Sequence, residues 1–173
     1  MHLSPGDRRA FARLYDSEMS RVYRYILYRV GTVEEAEDLT SEVFHRALRH
    51  WPRMRLELRS PRAWLFTIAT RLLIDHYRQR GGPQEASLEN SPVLPSTWSG
   101  PEAELLQQEE VSILRTHLAA LSERDRTVLT LRFTGDLSHR EIGEILGISE
   151  GASAVALLRA LRRLRQVYEG EER

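Results

Sequence analysis

The sequence predicts an all-α protein: two small helical domains joined by a flexible linker, the C-terminal one a helix-turn-helix. Three observations carry that prediction. Apolar residues recur at helical spacing along most of the 173 residues, with no sustained strand alternation and no internal repeat. The run "GGPQEASLENSPVLPSTWSG" at 81–100 replaces this periodicity with Gly, Pro and Ser. Near the C-terminus, "LSHREIGEILGISEGASAVALLRAL" reads as a capped short helix, a glycine, a tight turn and a second capped helix. The expected boundaries are a first domain at 1–80, the linker at 81–100 and a second domain at 101–173.

Taken in order, Phe11, Leu14 and Tyr15 form a first short stripe, and Val22, Tyr23, Ile26, Leu27 and Val30 a second. Thr32 and Glu35 have capping-box spacing and open a third helix through Leu39, Val43, Ala47 and Leu48, which Pro52 is expected to stop. Ser60-Pro61 is a cap followed by a first-turn proline, starting a fourth helix through Trp64, Leu65, Ile68, Leu72 and Tyr77. Trp64, Phe66 and Ile68 fall at interior spacing. The linker's twenty residues can extend over roughly 60–70 Å. Helices resume at Pro101 with Leu105, Leu106, Ile113, Leu114 and Leu118, followed by one from Ser122 to Phe133. Ser138 and Glu141 make a second capping box, Gly147 ends that helix, and Ser149 caps the last one. Ile142, Ile145, Ile148 and Leu157 are expected to close a small core between the last two helices. Leu157, Leu161, Leu164 and Tyr168 form the expected buried stripe of the final one.

Composition narrows the function. There is no cysteine, so disulfides and thiolate metal sites are excluded. Asp7, Arg8 and Arg9 interrupt any leader-like apolar run, and no stretch reaches membrane-spanning length, so a cytoplasmic protein without membrane insertion is expected. The six His are scattered, none in an HExxH spacing, and no phosphate-binding glycine loop occurs. No catalysis, no cofactor and no metal site are expected. Net charge is zero, yet it is unevenly spread: every one of the 25 basic residues is Arg. Val33 to Glu42 holds five acids and no base, whereas Arg53 to Arg80 holds seven Arg. An acidic helix followed by a basic one points to two different partners, and Arg suits phosphate recognition.

The helix-turn-helix has an unusual outer face. Ala152 and Val155 lead it, and Arg159, Arg162, Arg163 and Gln166 follow. Glu150 suits a cytosine amino group, Ala152 a thymine methyl, and the Arg tail phosphates. Val155 and Leu158 are expected to be exposed apolar residues that pack on an inhibitory protein, or on the first domain in a closed resting state.

Three segments carry a resemblance. "TVEEAEDLTSEVFHRALRHW" (32–51), "SPRAWLFTIATRLLIDHYRQR" (60–80) and "LSERDRTVLTLRFTGDLSHREIGEILGISEG" (121–151) occur in the order found in bacterial sigma factors. The chain resembles the extracytoplasmic-function group of the sigma-70 family, with domain two at roughly 8–80 and domain four at roughly 101–168. It departs from the family's usual "ARN" at Ala69-Thr70-Arg71, and from "GTVKSRLHRA" at "GASAVALLRA".

The resemblance implies a transcription initiation factor that binds core RNA polymerase, directs it to promoters and assists strand opening. The alternative is a stand-alone helix-turn-helix regulator. Carried over, Asp38, Leu39, Glu42 and Phe44 bind the β′ coiled coil, with the β subunit as a further contact. Arg53, Arg55, Arg59, Arg71, Tyr77, Arg78 and Arg80 engage the minus-ten DNA, the first three from a base-capturing loop. Arg140, Ser149, Glu150, Gly151, Ala152, Ser153, Arg159, Arg162 and Arg163 face the minus-thirty-five DNA. Promoter DNA and an anti-sigma factor complete the expected partners, and the free protein is expected to be a monomer.

Overall fold

A computed structural model describes residues 3–54, 56–80, 114 and 116–171. All regular elements among them are helices: α1 (Pro5–Val30), α2 (Val33–Met54), α3 (Pro61–Gln79), α4 (Glu123–Phe133), α5 (His139–Leu146) and α6 (Glu150–Glu171). The expected linker and the helix expected from Pro101 lie outside the described residues, apart from the latter's last turn at 116–119.

The first two predicted stripes belong to one helix. Ser4 caps α1 by accepting from Asp7 N at 3.1 Å, and no glycine or proline lies between Asp7 and Val30 to break it. Thr32 opens α2, accepting from Glu35 N and donating to Glu35 Oε2 at 2.9 Å. Pro52 does not stop α2, which runs on to Met54. It sits exposed in the last turn, where a missing N–H disturbs little because the helix is ending there anyway. Ser60 caps α3, accepting from Ala63 N at 3.1 Å ahead of Pro61.

Helices α1, α2 and α3 pack around Val22, Tyr25 and Ile26, Val43 and Ala47, and Leu65, Phe66 and Ala69, all fully buried. Phe11 meets Phe44 and Trp51 edge-on, with ring centroids 6.5 and 5.5 Å apart. A second cluster joins Leu118, Leu121, Val128 and Leu129 to Leu157 and Ala160 of α6. Arg126 ties it down, donating to the Leu118 and Ala119 carbonyls at 3.0 and 2.9 Å.

The two halves are packed together. Leu131, Leu137 and Ile142 belong to the same buried cluster as the α1–α3 core. Phe66 lies against Gly135 so closely that a Cβ there would stand 2.9 Å from its ring. Polar contacts surround this seam. Ser60 Oγ donates to Glu141 Oε1 at 2.8 Å, and Arg62 Nη1 donates to the Asp136 carbonyl at 3.2 Å. Arg62 also pairs with the buried Glu18 at 3.1 Å. Ile142 therefore faces α1–α3 and not Leu157, as the sequence reading had it; Leu146 packs against both clusters. Among the described residues, no helix is long and apolar enough to cross a membrane.

Candidate nucleic-acid interface

The helix-turn-helix is built by local chemistry. Ser138 Oγ accepts from Glu141 N at 3.2 Å, and Glu141 Oε2 accepts from Ser138 N at 3.0 Å, so both limbs of the capping box are present. Gly147 ends α5 at φ 67°, a left-handed conformation that favours glycine. Ser149 Oγ accepts from Ala152 N at 3.1 Å and starts α6.

The buried stripe of α6 is rotated from the predicted one. Ser153, Leu157 and Ala160 face inward, with Ala156, Leu164 and Val167 beside them. Leu161 and Tyr168 are exposed, and the Tyr168 ring stacks on His117 with centroids 4.5 Å apart. Small side chains at 153 and 160 let α6 approach its neighbours closely, so the packing follows size where the sequence pattern followed hydrophobicity.

Of the residues expected to face upstream DNA, Glu150, Gly151, Ala152, Arg159 and Arg162 are exposed on the outer side. Arg140 is exposed beside Glu144. Ser149 serves as the cap. Ser153 is fully buried, its Oγ 3.4 Å from His139 Nδ1, and is withdrawn from that surface. Arg163 is held by Asp125 at 2.6 Å, a carboxylate buried at the start of α4. Val155 and Leu158 are exposed, 48% and 50%. The packing on the N-terminal half runs through α4 and α5, so the expectation that these two residues meet it is overturned. Arg124 of α4, unmarked in the sequence, joins Gly151, Ala152, Val155 and Arg159 around a concavity of about 360 Å³. No periodicity on α6 signals it, because it arrives from another helix.

In the N-terminal half, Asp38 is exposed, while Leu39 and Glu42 are half-buried on α2. The Arg46 Nε–H donates to Glu42 Oε1 at 2.5 Å and holds that carboxyl below its ordinary range. Phe44 is only 6% exposed and packs edge-on against Tyr15 at 4.7 Å. It belongs to the core and is not presented to a partner. Arg53, Arg59, Arg71 and Arg78 are exposed, and Arg55 lies outside the described residues. Tyr77 is not a stacking surface: its OH donates to the Arg29 carbonyl at 2.7 Å and its ring faces the Arg29 guanidinium. Arg80 pairs with Glu35, bolting the end of α3 to the start of α2.

This order of surfaces matches two family models, Sigma-70 region 2 over residues 14–82 and Sigma-70, region 4 over residues 112–164. The chain is also 34% identical to the ECF RNA polymerase sigma factor SigD of Mycobacterium tuberculosis, over 92% of this chain and 77% of that one. The chain belongs to the extracytoplasmic-function sigma factors. Among other members of this sigma-factor group, it is 36% identical to BldN of Streptomyces coelicolor over 97% of its own length, and spans 64% of BldN. It is 29% identical to SigW of Bacillus subtilis, over 93% and 90% of the two chains. The fold is that of CnrH, solved in complex with the cytosolic domain of CnrY, at a TM-score of 0.69 and 21% identity over 94% of this chain and 90% of that one. The sigma factor RpoE of Bartonella quintana, solved with the anti-sigma factor NepR, shares it at a TM-score of 0.69 and 18% identity, over 93% and 98%.

Proposed function

We propose that this sigma factor binds core RNA polymerase, directs it to specific promoters and assists their opening in the cytoplasm, without covalent chemistry of its own. The carrying observation is the presence of region 2 and region 4 in one chain, in that order. The domain limits we propose are 1–80 and 101–173, with 81–100 as connector.

The acidic half of α2 supplies the polymerase contact through Asp38, Leu39 and Glu42, carboxylates beside an apolar residue that suit a basic helical partner. Its target is the β′ coiled coil. Arg53, Arg55, Arg59, Arg71 and Arg78 follow the minus-ten strand, where cationic side chains track the phosphates of opened DNA. The outer face of α6 takes the minus-thirty-five duplex, with its N-terminal turn entering the major groove. An anti-sigma factor is the further partner, a reading supported by the complex in which RpoE, which shares this fold, was captured with the anti-sigma factor NepR.

Run-off transcription with purified core polymerase on a random promoter library tests the proposal. Promoters sharing two sequence elements are the expected outcome. Binding to duplex DNA without any affinity for core polymerase would replace it with a stand-alone regulator.

A further inference from the structure

The outward face of α6 carries apolar groups where a base-reading helix ordinarily carries donors. At about 100° per residue, Gly151, Ala152, Val155, Leu158, Arg159 and Arg162 fall within an arc of roughly 120°, and all six are exposed. Val155 lies near the centre of that arc. Apart from Glu150 at the helix start, the charge around it has one sign. Arg159 and Arg162 flank it on α6, Arg124 faces it across the concavity, and the acid in that concavity, Asp125, is already paired with Arg163.

A partner for this surface needs an apolar middle between anionic walls. The major groove of a duplex has that form wherever thymine occurs: phosphates line the walls, and a C5-methyl group stands on the floor. Guanine offers acceptors there instead. From Glu150 to Leu158 no exposed side chain can donate to them, since Ser153, the one hydroxyl, is buried against His139.

We propose that α6 selects its upstream promoter element through thymine methyl groups packed on Val155, with Ala152 and Leu158 beside it. Arg124, Arg159 and Arg162 hold the flanking phosphates. The inference rests on the promoter-binding function proposed above and assigns its upstream specificity to an apolar contact. Glu150, at the start of the helix, is left to accept from a neighbouring adenine or cytosine amino group.

Thymine and uracil present the same hydrogen-bonding edge and differ by the methyl alone, which allows a clean test. Full-length protein assembled with core polymerase first selects promoters from a random library. Each thymine of the selected upstream element is then replaced singly by deoxyuridine, and holoenzyme binding is measured by competition. A loss of roughly fourfold is expected at one or two thymines, the effect of one buried methyl group. Val155→Ser should remove that methyl dependence while leaving the thermal unfolding midpoint unchanged, because the side chain is exposed. Indifference to deoxyuridine, or an element made of G·C pairs, overturns the inference and leaves promoter recognition standing. A methyl effect that survives in Val155→Ser overturns it too. Failure to select any promoter overturns the functional proposal itself.

Discussion

The Arg29 guanidinium on α1 donates to Thr127 Oγ1 on α4 at 2.8 Å, across ninety-eight positions of sequence, and pairs with Glu123 one turn earlier. Its side chain is 1% exposed, whereas that of Glu123 is 43% exposed. The Tyr25 and Tyr77 rings lie 6.0 and 5.8 Å from the guanidinium carbon. A buried cation requires a partner, and an exposed carboxylate has water. The two deletions are therefore unequal. Glu123→Gln strands the cation and is expected to cost about 2–4 kcal/mol in urea unfolding. Arg29→Met should cost less than half as much. Equal losses would mean that the buried cation carries no extra penalty once its carboxylate is gone.

Gly135 sets how closely the halves approach. An added Cβ would stand 2.7 Å from the Leu131 carbonyl oxygen and 2.9 Å from the Phe66 ring, and the carbonyl cannot move without moving α4. Gly135→Ala is expected to part the seam while the helices of each half stay formed. Small-angle scattering should show a larger radius of gyration with unchanged helical circular dichroism.

Asp38 and Phe44 share α2 and should fail differently. Phe44→Ala empties a site lined by Phe11 and Tyr15 and is expected to lower stability by about 3–5 kcal/mol. Asp38→Asn should leave stability within about 0.5 kcal/mol and weaken binding to core polymerase. Calorimetry of each variant, alone and with polymerase, separates the two effects.

Arg162 and Arg163 are neighbours in sequence with different occupations. Arg162 is free to meet a phosphate, so Arg162→Ala should weaken promoter binding uniformly and reduce the salt slope by about 1. Arg163 is committed to Asp125 at 2.6 Å. Its removal should disturb the α4–α6 contact and leave the salt slope nearly unchanged.

Glu141 gives the seam a pH dependence. Burial alone would raise its carboxyl, but hydrogen bonds from Ser138 N, Ser60 Oγ and Ser138 Oγ, with Arg62 nearby, hold it below the ordinary glutamate value. A carboxyl depressed in the folded state stabilises at neutral pH. That contribution is present above the unfolded value and is lost as pH falls through the folded one. Stability should therefore decline on acidification more steeply in the wild type than in Glu141→Gln, as unfolding titrations from pH 7 to 3 would show.

The caps were legible in the sequence because they are local. Ser60 before Pro61, Ser138 with Glu141, and Gly147 act within one helical turn, and the structure uses each as its spacing suggests. What was illegible depended on other helices. Phe44 and Tyr77 looked like presented aromatics, but the packing of α1 and α3 encloses them. The resemblance put Ser153 on the DNA-facing surface, and it is buried because α5 sits above it. Arg29 and Glu18 carry no signal in the sequence, since their burial comes from helices distant along the chain. The exposed Val155 was legible, since its helix is phased by the Ser149 cap.

The placement of Leu131, Leu137 and Ile142 inside the N-terminal core cluster bears on how the protein can be dissected. A cut between the halves bares aliphatic surface on one fragment and the Phe66 side of the other, so isolated fragments should be poorly soluble and should not melt as the intact chain does. The same surface sets a threshold for any molecule that draws the halves apart. Wetting three aliphatic side chains carries a hydration penalty on the order of 5 kcal/mol, and a ligand that opens the protein must bind the open form more tightly by at least that margin.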